Sequence, residues 1–143
     1  MIEKSAFLTC SPARAFELFT ERASEWWPEA VRHTPDPRSE IRMVASGRFW
    51  ERARDGHEVE LGRVLTWEPP RRVVLDFYPG TDALHPTEVT ILFGAEADGT
   101  RIVVEHRPKL ESAELWATAA HRFERSWGLV LPALQGAAGE SAK

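Results

Sequence analysis

The residues of this chain that could do acid–base, nucleophilic or metal chemistry are five histidines, one cysteine and a scatter of carboxylates. The histidines are His33, His57, His85, His106 and His121. None forms a His-x-x-x-His or His-Glu-x-x-His pair, and Cys10 stands alone, so no zinc site is expected. There is no Gly-x-Ser-x-Gly elbow and no phosphate loop, and the glycines are spread mostly among turns. No cofactor is expected. His106 is the most informative of the polar residues. It alternates with Ile102 and Val104, while Arg101, Val103 and Glu105 have the opposite parity, so its imidazole belongs to the apolar face of a strand. A polar group there needs a hydrogen-bond partner or costs about 1–3 kcal/mol. Three roles are open to it: a core histidine satisfied by a neighbour, a polar anchor for a ligand, or a general base oriented by a carboxylate. The candidate carboxylate is Glu51. It follows Trp50 on a strand, so the two face opposite sides, and the sequence leaves open which faces inward. Asp76 has the parity opposite to Val73, Leu75 and Phe77 and is expected to face solvent.

Ligand sites are mostly apolar and aromatic, with a few placed polar groups. Trp26, Trp27, Phe77, Phe123 and Trp127 are the best candidates to line such a pocket. The alternative is that these rings fill a core with no cavity.

The elements that must position these groups follow from periodicity. From Ser112 to about Leu134, apolar residues recur every three or four positions: Trp116, Ala119, Ala120, Phe123, Trp127, Val130 and Leu134. That spacing makes one face of a long helix, with Glu114, His121, Arg125 and Gly128 on the other. Ser112 is the expected N-cap. Pro132 is expected to kink or end the helix, and Gly136 to stop it. At the other end, residues 2–10 read as a strand. Ser11-Pro12 then opens a helix carrying Ala15, Phe16, Phe19 and Ala23. Residues 28–39, with three prolines, read as a loop. From Glu40 to Pro108 the period is two, with turn signals at Asp55-Gly56, Pro69-Pro70, Pro79-Gly80 and Asp98-Gly99. The order is strand, helix, six strands, helix. Hairpin turns imply antiparallel neighbours, so the class is α+β.

At 143 residues the chain reads as one domain, residues 1–137, with 138–143 a frayed tail. Net charge is −4 and no basic run appears, so no nucleic-acid partner is expected. No apolar run approaches the ~20 residues needed to span a bilayer, and the first residues lack a signal-peptide pattern. A single cysteine allows no internal disulfide. The chain reads as soluble and cytoplasmic. An antiparallel sheet with open edges leaves a homodimer possible.

This order of elements resembles the helix-grip fold of the SRPBCC superfamily, which includes START domains and polyketide cyclases. The local motifs look most like the bacterial homologues of the heat-shock-protein ATPase activator. They are Ser11-Pro12 with Ala15-Phe16, then Trp26-Trp27-Pro28. Gly62, Val64, Trp67, Pro69 and Pro70 follow, then Thr87-Glu88-Val89, Asp98-Gly99-Thr100, Trp127 and Leu134. The resemblance spans about residues 3 to 136. Two positions depart from it: Phe77, where the family often has Trp, and Ser126, where it often has Gly. The resemblance implies a curved antiparallel sheet of six or seven strands wrapped around the long C-terminal helix. Between them it implies a cavity that often holds an apolar small molecule.

Three functions are therefore set out. The first is a small-molecule-binding protein whose aromatic or lipid-like ligand is anchored by His106 or Glu51 within Trp26, Trp27, Phe77, Phe123 and Trp127. The second is a cyclase- or hydrolase-like enzyme using His106 as acid or base, which requires two ionisable groups converging in the cavity. The third, from the resemblance alone, is a partner that stimulates a chaperone ATPase.

Overall fold

In a computed structural model, which describes residues 1–141, seven antiparallel strands form one sheet in the order β1-β7-β6-β5-β4-β3-β2. They are β1 (Ile2–Leu8), β2 (Glu40–Met43), β3 (Arg48–Arg52), β4 (Glu58–Glu68), β5 (Arg72–Asp82), β6 (His85–Glu96) and β7 (Gly99–Pro108). Two helices, α1 (Pro12–Thr20) and α2 (Ala113–Ser141), pack on the sheet's apolar face. This is the helix-grip α+β fold. The sequential strands β2 to β7 are neighbours because each is joined by a short turn. β1 closes the series on β7, in the register Ile2↔His106 to Leu8↔Thr100.

α1 starts where its chemistry dictates. The Ser11 hydroxyl accepts from the Arg14 amide at 3.2 Å, and Pro12 occupies the first turn, where its missing N–H is no loss. Ala15, Phe16 and Phe19 are buried, and Phe16 meets the Trp67 indole edge-on at 5.3 Å between ring centres.

Three local expectations need correction. First, α2 neither ends at Pro132 nor stops at Gly136; it runs to Ser141. Pro132 and the Gly128 carbonyl it deprives of a donor both lie on the exposed face, where water can satisfy the carbonyl. Beyond it, Leu134 and Ala138 are fully buried in the core, which holds the last turns down. Residues 138–141 of the expected frayed tail are therefore helical, and 142–143 lie outside the described residues. Second, Ser112 does not cap α2 directly. It closes the 3-10 turn Leu110–Ser112, its hydroxyl accepting from the Lys109 amide at 2.9 Å. Third, Pro79-Gly80 interrupts pairing without ending β5. The ladder with β6 stops at Phe77↔Thr87 and resumes at Asp82↔His85. Pro79 and Pro86 have no N–H to give, so the strand bows out between them.

That bow matters for the site. Gly80 has φ +86°, in the left-handed region, and a Cβ there would sit 2.6 Å from the Phe123 ring. Only glycine lets β5 approach α2 so closely.

Candidate functional site

Parity puts His106 inward on β7, and the structure encloses it completely; it has no exposed surface. Its ring lies 4.2 Å from that of Phe123, 5.3 Å from Trp116 and 5.4 Å from Phe77, centre to centre. The Trp127 indole N–H donates to Nδ1 at 3.1 Å, and Nε2 lies 2.8 Å from the Thr87 hydroxyl. An indole nitrogen is donor only, so Nδ1 must carry a lone pair. The ring proton of the neutral imidazole is then on Nε2, donating to Thr87 Oγ1. Thr87 in turn donates to the Phe77 carbonyl at 3.2 Å, at the last paired position of β5 before the bow. The chain of hydrogen bonds runs one way, from Trp127 through His106 and Thr87 to Phe77, and every member is satisfied. Burial pushes the His106 pKa down to about 3. A neutral ring with both nitrogens engaged is not placed to exchange protons with a ligand.

Glu51 faces inward too, with no exposed surface, while Trp50 turns outward under the Arg48 guanidinium, 4.3 Å from its ring. The Glu51 carboxylate does not meet His106. It accepts the backbone amides of His33 and Thr34, each at 2.8 Å. Burial raises its pKa. The bonds from His33, Thr34 and Ser39 outweigh that, and the net shift is downward. The loop over residues 28–39 is fastened at further points. Arg32 donates to the carbonyls of Trp27, Ser24 and Ser39 at 3.2, 2.7 and 2.6 Å. Asp36 receives the Arg54 amide at 2.7 Å and pairs with its guanidinium; these bonds hold its carboxyl at a pKa of about 2. The loop is a fixed wall.

Between that wall, β5 and α2 lies a half-open cleft of about 270 Å³. Phe77, Phe123, Trp127 and Val130 form its apolar floor, and Trp27 and Val31 its loop side. Pro79 and Gly80 close one edge. Polar groups reach it from the rim: Arg32, His33, Arg122 and Ser126. The volume is near the lower end of the ~300–1,000 Å³ of small-molecule sites.

Of the seven residues singled out from the sequence, the structure gathers Trp27, Phe77, Phe123 and Trp127 around this cleft. His106 sits beneath it, supporting Trp127 and Phe123. Trp26 is elsewhere, its indole N–H bonded to the Leu18 carbonyl at 2.8 Å and its ring against Phe19 and Trp27. Glu51 is behind the wall. Much of the space under the middle of α2 is filled by rings, so the cavity lies to one side of the helix. Sequence reasoning missed Arg122 and the loop residues Ala30 to His33. The spacing 122, 126, 130 flanks the 123, 127 stripe by one helical position and is the signal that would have found Arg122. Among the described residues, no three His, Cys, Asp or Glu side chains group as a metal site would need.

The fold and the cleft define a helix-grip protein of the SRPBCC type, a fold compatible with ligand binding. The chain belongs to the Activator of Hsp90 ATPase homolog 1-like protein family, whose model matches residues 9–139. Among curated proteins none matches it. Among solved structures, it is similar to CalC, a self-sacrificing resistance protein from Micromonospora echinospora. That match has TM-score 0.70 and 21% identity, over 98% of this chain and 94% of that one. It is similar to the Aha1 dimer from Colwellia psychrerythraea at TM-score 0.61 and 15% identity, over 94% and 95%. An anthrahydroquino-γ-pyrone synthase, Txn09, matches at TM-score 0.53 and 26% identity, over 81% and 82%. No helix among the described residues is long and apolar enough to cross a membrane.

Proposed function

We propose that this protein binds a small aromatic molecule in the cleft between α2, β5 and the 28–33 wall. The observation that carries the reading is the cleft's construction. Three rings, Phe77, Phe123 and Trp127, form a floor, and Trp127 is locked from below by the bond to His106. A preformed aromatic floor spends little ordering entropy on binding. The similarity to a synthase named for an anthrahydroquino-γ-pyrone supports an aromatic occupant.

Catalysis by His106 is the weaker reading. It requires a basic nitrogen open to the ligand and a second ionisable group beside it. The His106 lone pair is occupied by Trp127, and the candidate carboxylate, Glu51, is committed to the loop. Dimer formation and chaperone activation rest on the family description and on the Colwellia dimer.

Native mass spectrometry of freshly purified protein, with solvent extraction, tests the reading. A stoichiometric adduct that leaves on denaturation, with aromatic absorbance in the extract, is expected. A clean mass together with no binding of two-ring aromatic probes overturns it.

A further inference from the structure

The cleft carries a charge pattern its floor does not explain. No aspartate or glutamate lines it, whereas Arg32, His33 and Arg122 do, on a chain whose net charge is −4. Arg32 gives four hydrogen bonds to the wall, at Trp27, Ser24 and Ser39, and the charges of Glu51 and Asp36 act on its guanidinium. Arg122 is different. Among the described residues it has no carboxylate partner. Its helix neighbours three and four positions away are Thr118, Ala119, Arg125 and Ser126, so no acid on α2 shares its face. Its charge is felt across the mouth of the cleft, where it helps hold the His33 pKa down; desolvation is the larger cause.

We propose that the cleft takes a flat aromatic acid, its rings on Phe77, Phe123 and Trp127 and its carboxylate or phenolate at the mouth against Arg122. Ser126, one helical turn on, supplies a second polar contact. This rests on the ligand-binding reading above and names the chemistry of that site. A planar guanidinium suits a carboxylate because its N–H groups match both oxygens. At a half-open mouth the pair is partly screened, so its value is a preference among ligands that already fit.

The test uses two probes of one shape, 2-naphthoate and 2-naphthamide, titrated calorimetrically at pH 7.5 into the full chain and into Arg122→Gln and Arg122→Lys. The expected result is naphthoate about five- to tenfold tighter than naphthamide. That preference should disappear in Arg122→Gln and be partly retained in Arg122→Lys. Raising salt to 0.5 M should weaken naphthoate alone. Arg122 is exposed, so melting temperatures of the variants should match the parent. Equal binding of both probes, or a preference that survives in Arg122→Gln, overturns the anion assignment and leaves the cleft reading standing. If neither probe binds, the proposal falls, and a clean native mass beside that result overturns the cleft reading as well.

Discussion

His106→Gln should make stability less sensitive to acid, although it weakens the protein at neutral pH. In the folded chain the imidazole stays neutral down to about pH 3, against an ordinary value of 6.5. Between those values the unfolded chain binds a proton that the folded chain refuses. Stability therefore rises with pH through this window, and falls as pH drops below about 6.5. Each pH unit below 6.5 costs about 1.4 kcal/mol, so at pH 5 the loss from this ring is about 2 kcal/mol relative to pH 8. Glutamine keeps a donor for Thr87 and does not titrate, but leaves the Trp127 indole N–H short of an acceptor. At pH 8 the variant should be less stable by about 1–3 kcal/mol. At pH 5 that deficit should shrink by about 2 kcal/mol, because only the parent loses the His106 contribution. Urea unfolding of both proteins at the two pH values measures it. His33, whose pKa is also lowered, acts in both and cancels in the difference. A deficit of the same size at pH 8 and pH 5 would refute the neutral, doubly bonded imidazole.

Trp127→Ala removes a ring that is 4% exposed and should cost about 3–5 kcal/mol by urea unfolding; a parent-like curve would mean α2 does not rest on that ring. Gly80→Ala should destabilise more than Gly56→Ala. Both have positive φ, +86° and +97°, but a methyl at Gly56 meets nothing while one at Gly80 strikes Phe123. Paired melting curves that rank them the other way would contradict the close approach of β5 to α2. Glu51→Gln puts an amide donor against two backbone donors, costing about 1–3 kcal/mol, and should admit protease cleavage within residues 33–39. Because the folded Glu51 pKa is depressed below 4.5, its contribution is full above that pH and fades as acid protonates the folded carboxylate.

The strand and helix order was legible because its signals are local. The period of two between Glu40 and Pro108 and the period of three to four after Ser112 need no knowledge of the partner surface. The inward facing of His106 followed from strand parity alone. What sequence could not supply was competition between distant groups. On sequence Glu51 is a possible companion for His106, but the amides of His33 and Thr34, eighteen and seventeen residues away, claim its oxygens. Pro132 is a signal for a kink or an early end, and the helix does not end there because the burial of Leu134 and Ala138 outweighs one lost hydrogen bond at the exposed face. Trp26 and Trp27 are adjacent and identical in type, and the course of the chain after α1 decides that only Trp27 reaches the cleft. The rim arginine is hard to tell apart on sequence, because a charged residue beside an apolar stripe looks like any solvated helix face.

The binding site itself is most directly tested through the indole N–H resonances of the chain's six tryptophans. With ¹⁵N-labelled tryptophan and 2-naphthoate added, Trp27 and Trp127 should shift together and saturably. Trp50, turned outward beneath Arg48, and Trp67, against Phe16, should stay in place. Shifts confined to Trp50 or Trp67, or none at saturating probe, would contradict the placement of the site between α2, β5 and the 28–33 wall.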